Sequence, residues 1–374
     1  MRALVWTWGS WRFKVSFNYI YCKNSMRLKY VDALRGFTMF LVVFGHVLSF
    51  GFGIEFDDSI LADLFSRFRM PLFFFISGFI GYKSLDKFNL SYFKQSFKHK
   101  AFVQLVPTFI FFSFYMLTIG NSPLSFFKYG LQGYWFTLVL FEFFVFFYIT
   151  SFFFNLKNLS KLQDYVYILI IPIFFVVYFY IRSNFDTAQP SLMNVFSVFN
   201  FSLYLPFFTF GLLARKHENV LLPIITNKYS CALAFIIFSL AFLLKERFFT
   251  REDYSMIYHI MNAVVLRFSG LIFIFNVFYH SADYFEKDTF VSRAMQFVGK
   301  RTLDIYLLHY FFLPQLSTFK HCFFVGGKEF IIGEILVMGL GIAIPILAIC
   351  LLLSYSIRTS PILTKYLFGI VPKN

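Results

Sequence analysis

Charge is scarce in this sequence. Only 14% of its 374 residues are Asp, Glu, Lys or Arg, against roughly 25% in an ordinary soluble domain. Acidic residues are the scarcer sign, with 19 Asp and Glu against 34 Lys and Arg and a net charge of +15. Cysteine is rare as well. Cys22, Cys231, Cys322 and Cys350 are far apart and form no CxxC pair, which argues against a zinc site, a redox pair or a disulfide framework. Cys231 and Cys350 lie in apolar runs and read as small core residues. There is no GxSxG elbow, and no Walker loop, GxGxxG or HExxH. These absences weigh against a serine hydrolase, an ATPase and a metalloenzyme, so no metal and no bound cofactor is expected.

What is abundant is apolar. Hydrophobic residues make up 59% of the chain, and Phe alone contributes 62. A soluble fold of this length has too little interior for so many rings, so most must face lipid. The apolar runs are long and continuous, as spanning helices of about 20 residues require, rather than short and alternating as in a closed barrel. They fall near 31–50, 62–82, 102–120, 134–154, 165–182, 194–214, 229–245, 258–280, 299–318 and 331–355. The expected fold is therefore all-α, a polytopic bundle of about ten spans without a separate soluble domain. Residues 1–25 contain three Trp and scattered basic residues but no long apolar run, so they do not read as a signal peptide. Two readings stand for them: a gene-model extension with Met26 as the start, or a short amphipathic tail on the membrane surface. Residues 26–374 form the membrane domain.

Loop charges orient the bundle. Lys83, Lys87, Lys94, Lys98 and Lys100 share one connection with a single acid, Asp86. The connection before it carries Glu55, Asp57 and Asp58 without a basic residue. The positive-inside bias puts the lysine-rich loop and both termini in the cytoplasm, and the excess of positive charge suits loops lying against anionic lipid. No basic helix interleaved with stacking aromatics lies outside the apolar runs, so nucleic acid is not an expected partner. The segment 246–257, with Glu246, Arg247, Arg251, Glu252 and Asp253, carries no clear bias.

Ionisable groups inside a span are expensive and tend to mark function. The first span holds Asp32, Arg35 and His46. Asp32 and Arg35, three apart, can pair on one helix face. Arg35 and His46 are eleven apart, about three turns, so they share a face yet stand roughly 16 Å apart along the axis. A neutral buried imidazole suits proton abstraction, and an arginine suits phosphate or carboxylate. A ligand with an anionic head and a long arm, such as an acyl-coenzyme A, matches that pair. The plainer readings are a snorkelling Arg and a His that bridges two helices.

The pattern Tyr30-Val31-Asp32-Ala33-Leu34-Arg35-Gly36 followed by His46 resembles the first-helix signature of the acyltransferase 3 family of membrane acyltransferases. Four further blocks follow in that family's order: Met70-Pro71-Leu72-Phe73-Phe74-Phe75-Ile76-Ser77-Gly78-Phe79, Gly133-Tyr134-Trp135-Phe136-Thr137-Leu138, Leu205-Pro206-Phe207-Phe208-Thr209-Phe210-Gly211, and Gly299-Lys300-Arg301-Thr302-Leu303-Asp304-Ile305-Tyr306-Leu307-Leu308-His309. The resemblance runs from residue 27 to about 370, and the compact form looks most like the sugar O-acetylases related to fucose 4-O-acetylase. It implies a cytoplasmic acetyl-CoA donor and a carbohydrate hydroxyl acceptor at the cell surface, and the expected location of the protein is a bacterial inner membrane. His46 is then the base, with Arg35 and Asp32 beside it in the catalytic set, and Arg35, Lys98 and Lys100 meet the donor. One departure stands out. Where the family often has a second Arg before the third helix, this sequence has Gln104 in Lys98-His99-Lys100-Ala101-Phe102-Val103-Gln104.

The remaining candidates carry two readings each. Ser77 is a polar pocket group or, with Gly78, a close-packing element. Trp135 lines a substrate path or belongs to an interfacial aromatic belt. Asp304 reads as a solvated helix start near Lys300 and Arg301, and His309, deeper, is a second candidate imidazole. Glu142 and Arg267 are intramembrane charges that can pair across helices. Two functions remain: an O-acyltransferase, and a transporter or flippase of a lipid-linked glycan, against which the lack of an evident internal repeat counts.

Overall fold

The computed structural model describes residues 28–55, 59–83, 88–156, 159–185, 189, 191–248, 255–322 and 333–370. The extension 1–25, with Met26 and Cys22, lies outside the described residues, as do Asp57 and Asp58. The described chain is helical, with no strand. Its principal helices are α1, Lys29–His46, continued by a π turn at Val47–Gly51; α2, Ile60–Gly81; α3, Leu90–Thr118; α4, Trp135–Leu156; α5, Ser160–Asn184; α6, Val198–Lys216; α7, Lys228–Phe248; α8, Leu266–His280; α9, Phe290–Lys300; α10, Thr302–Leu308; α11, Ile344–Arg358; and α12, Pro361–Phe368.

Among the described residues seven helices are long and apolar enough to cross a membrane, and an eighth candidate is the pair Glu218–Ile225 and Lys228–Phe248, bent by 55°. Two segments depart from uniform apolar spans. Helix α2 has the length, 22 residues, but carries Asp63, Arg67 and Arg69 in its first half. The segment 299–318 is not one long helix: the seven-residue α10 passes into a tight 3-10 turn at His309–Phe312. Both irregularities fall at the cavity described below. The outer surface is apolar in the manner of a lipid-facing bundle: Leu117, Val176, Leu243 and Leu352 are each more than 60% exposed. With no water in the hydrocarbon layer, backbone polarity must be met inside each helix, and an all-helical bundle meets it.

Two helix crossings are set by glycine. A Cβ on Gly36 of α1 would overlap the Met295 carbonyl of α9, and one on Gly299 would overlap the Asp32 carbonyl of α1. The second crossing joins α2 and α6: Gly78 meets Phe208 and Gly211 meets Phe75, again backbone to backbone. Between apolar helices in lipid, van der Waals contact and small residues replace the hydrophobic drive. The Ser77-Gly78 pair therefore serves close packing through its glycine. Ser77 itself is half-buried on α2.

These crossings generate a prediction. Gly36→Ala, Gly299→Ala, Gly78→Ala and Gly211→Ala each drive a methyl into a neighbouring backbone and should cost about 3 kcal/mol. Gly339→Ala, whose added methyl meets only side-chain atoms of Phe44 and Phe40 at 3.6 to 3.7 Å, should be nearly silent. Thermal melting of the detergent-purified protein reads the difference; equal melting of all five variants would remove the crossings from the account.

Candidate functional site

The site begins at the two ends of α1. Near the start of the helix, the Arg35 Nη2 donates to the Thr302 hydroxyl at 2.8 Å. At its end, His46 Nδ1 lies 2.7 Å from His309 Nε2. Beside the first of these bonds sits the Gly36–Gly299 crossing, with Asp32 and Gly36 against Gly299. Helix α1 is thus fastened to the segment from α9 through His309 at three points. Asp32 is buried at 3% exposure in the first turn of α1.

The histidine pair fixes its own protons. His309 Nδ1 lies 3.0 Å from the Ile305 carbonyl, one turn back. A carbonyl only accepts, so Nδ1 carries the hydrogen, and in neutral His309 Nε2 is then an acceptor. His46 must donate to it through Nδ1–H. That leaves the His46 Nε2 with its lone pair, and His46 lines the cavity. The two rings are within 14° of parallel with centroids 5.0 Å apart, as for rings joined edge to edge. Tyr310 and Phe50 flank the His46 ring, with centroids at 5.2 Å and 5.4 Å.

The cavity has a volume of about 870 Å³. His46, Ser49, Phe50 and the Gly53–Glu55 segment form one side, Arg67, Arg69 and Met70 of α2 a second. Gln132, Gly133, Trp135 and Phe136, with Tyr204, Arg267, Tyr306 and Tyr310, complete it. The loop before α4 is held tightly. The Gly133 carbonyl accepts from both the Tyr306 and Tyr310 hydroxyls at 2.8 Å, and Tyr134 Oη donates to the Leu307 carbonyl at 3.0 Å. Gln132 adopts a φ of 45° to enter this loop, a conformation strained for a side chain and sustained here by the three tyrosines. Arg69 Nη1 donates to the Leu41 carbonyl at 3.2 Å, and Arg69 lies within coulombic range of His46.

Other expected site residues are distributed differently. Trp135 and Arg267 line the cavity. His309 lies behind His46 at 0% exposure. Arg35, Lys98 and Lys100 stand apart from the cavity lining. Lys100 lies within coulombic range of Arg35 and Lys83 and sits 3.6 Å above the Phe144 ring; Lys98 is exposed. A cationic cluster therefore marks the far end of α1. Gln104 is buried there with its Oε1 lacking a hydrogen-bond partner.

Two expectations are corrected. Asp304 is not a solvated helix start: at 1% exposure it accepts from Arg358 Nε and Nη2, each at 2.9 Å, and from the Ser354 hydroxyl. It clamps α10 to α11, because an Arg fork matches a carboxylate in two bonds. Glu142 and Arg267 do not pair. The Glu142 Oε2 and the Arg267 Nε are each buried without a hydrogen-bond partner, and Arg267 instead lies over the Tyr204 ring.

The sequence reading missed Arg67 and Arg69, although charges inside an apolar span were their own signal. Asp63 pairs with Arg67 and with Lys245 of α7, the latter at 2.6 Å, which ties the start of α2 to a distant helix. Tyr204, Tyr306 and Tyr310 left no mark among 23 tyrosines.

The family model for the acyltransferase domain, acyltransferase 3, matches residues 28–358, and the chain belongs to that family. Among curated proteins and solved structures nothing matches. The protein is accordingly a membrane acyltransferase.

The Asp304 clamp is testable. Asp304→Ala strands Arg358 and Arg301 and should destabilise by about 3 kcal/mol. Pairing Asp304→Leu with Arg358→Met should recover much of that loss, since apolar isosteres often replace buried ion pairs well. Thermal melting of the purified variants checks both. Full stability with reduced acyl transfer in Asp304→Ala would instead return Asp304 to the site.

Proposed function

We propose that the protein is a membrane-embedded O-acetyltransferase that moves an acetyl group from cytoplasmic acetyl-CoA to a sugar hydroxyl of a cell-surface or lipid-linked polysaccharide. Membership of an acyltransferase family favours an enzyme over a transporter of a lipid-linked glycan. The observation that carries the mechanism is the 2.7 Å contact of His46 Nδ1 with His309 Nε2, which, with His309 Nδ1 on the Ile305 carbonyl, favours a His46 bare on Nε2 in a ring that lines the cavity. That is the state a general base needs.

In this reading the two ends of α1 serve the two substrates. The Arg35 end faces the cytoplasm of a bacterial cell in this reading, as the lysine-rich loop favours. Arg35, Lys98 and Lys100 meet the phosphates of acetyl-CoA there, and the flexible pantetheine arm runs along α1, roughly three turns of helix, to bring the thioester to His46. The acceptor enters the cavity from the Gly53–Glu55 side.

The acceptor hydroxyl gives its proton to His46 Nε2 as its oxygen attacks the thioester carbonyl carbon. The positive charge on the imidazolium is shared through Nδ1–H with neutral His309 Nε2. A tetrahedral oxyanion forms beside Arg69, the nearby cation, in a low-dielectric wall where such stabilisation is strong. Collapse breaks the carbon–sulfur bond, and the leaving thiolate recovers the proton from His46 Nε2. The products are the O-acetyl sugar and coenzyme A, with no covalent enzyme intermediate.

Acetylation of surface glycans, followed by mass spectrometry in a deletion strain carrying each variant, tests this. His46→Ala should lower transfer by at least about a hundredfold. His309→Ala, which removes the acceptor that selects the tautomer, should lower the rate and change its pH profile. His309→Gln, whose amide oxygen can accept from Nδ1–H, should recover part of the activity. Undiminished acetylation in His46→Ala with failed glycan export would overturn the enzyme mechanism in favour of transport.

A further inference from the structure

The cavity is cationic, and one of its arginines is incompletely used. Arg267 stands at the start of α8, just beyond the π turn Met261–Val265. Its Nε is buried without a hydrogen-bond partner. Its Nη1 makes only a long bond of 3.4 Å to the Asn262 carbonyl. The guanidinium sits 5.7 Å from the centroid of Tyr204, and Tyr204 stacks on Trp135 at 5.6 Å and 15°. All three line the cavity.

Among the described residues, Arg67, Arg69 and Arg267 line the cavity with one carboxylate, Glu55. The half-buried Arg267, with its long Nη1 bond, keeps donor capacity that an anion in the cavity would complete. The planar fork of arginine fits a carboxylate or a phosphate, which bond it in two places. The half-buried Trp135, on the same wall, offers a flat apolar face of the kind against which the ring of a sugar can lie.

We infer that the cavity selects an acidic glycan. The acceptor carries a carboxylate or phosphodiester near the hydroxyl that is acylated; Arg267 binds that anion, and Trp135 supports the sugar ring. This inference rests on the reading of the cavity as the acceptor site, and it narrows the acceptor to a charged class.

Calorimetric titration of the full-length protein in lipid nanodiscs tests it without requiring turnover. The probes are a hexuronate-containing trisaccharide, the same trisaccharide with its carboxyl reduced to an alcohol, and a glycerol-phosphate-substituted counterpart. Wild type should bind at least one anionic probe about tenfold more tightly than the neutral one, the worth of a charge-assisted hydrogen bond. Which anion binds better separates a uronate from a phosphodiester acceptor. Arg267→Gln should bring the anionic probes to the affinity of the neutral one, and Arg267→Lys should retain part of the preference. Equal binding of charged and neutral probes, or binding of none, overturns the inference. Thermal melting of both variants establishes that they are folded. Acetyl transfer measured in the same nanodiscs keeps the two ideas separate. A His46→Ala variant that still transfers acetyl refutes the base while leaving the anion preference intact. Equal probe binding refutes the subsite while leaving the base intact.

Discussion

The close approach of α1 and α9 at Gly36 and Gly299 governs the rest of the site. Without a side chain at either position the two backbones touch. That contact sets the depth at which α1 lies along the segment leading to His309. Arg35 then meets Thr302 next to the crossing, and His46 meets His309 further along α1. Neither hydrogen bond has much latitude. A side chain that held the helices a few ångströms apart would break both, since a hydrogen bond weakens steeply beyond about 3.2 Å. The second glycine crossing, of α2 with α6, does the same for the opposite wall, where α2 presents Arg67 and Arg69 and α6 presents Tyr204.

Much of this was legible in the sequence, for physical reasons that differ by residue. The all-helical membrane bundle followed from apolar run length. The first span stood out because buried charge is rare, and the three-turn spacing of Arg35 and His46 survives in a cationic cluster at one end of α1 and a cavity at the other. What the sequence could not show was contact between distant segments. Asp304 looked like a solvated helix start, and nothing indicated that it would be taken by Arg358 of α11. Glu142 and Arg267 looked complementary by charge, but pairing depends on helix rotation, which packing decides. His309 entered as a second candidate imidazole; its partner is 263 positions away. Glycine was read as part of recurring blocks, and its purpose emerged only where backbones meet.

Under the proposed mechanism, the arrangement separates two demands that conflict in one place. Binding a polyanionic donor calls for charge near water, whereas activating a weak base calls for a dry site. Placing them three helical turns apart on α1 satisfies both: the cations gather where lysines can reach solvent, and the imidazole sits in the interior beside a neutral partner. A neutral orienting histidine in place of a carboxylate also leaves the wall free of a buried negative charge. That suits a cavity whose charged lining, among the described residues, is three arginines and one carboxylate.

The central claim is the tautomer of His46, and nitrogen-15 magnetic resonance of histidine-labelled protein in lipid bilayers at neutral pH tests it most directly, with the His46→Gln and His309→Gln spectra providing assignment. The account predicts that His46 is protonated on Nδ1 and bare on Nε2, with His309 also protonated on Nδ1 and a through-hydrogen-bond coupling between His46 Nδ1 and His309 Nε2. A His46 protonated on Nε2 and bare on Nδ1, or an absence of that coupling, would contradict it.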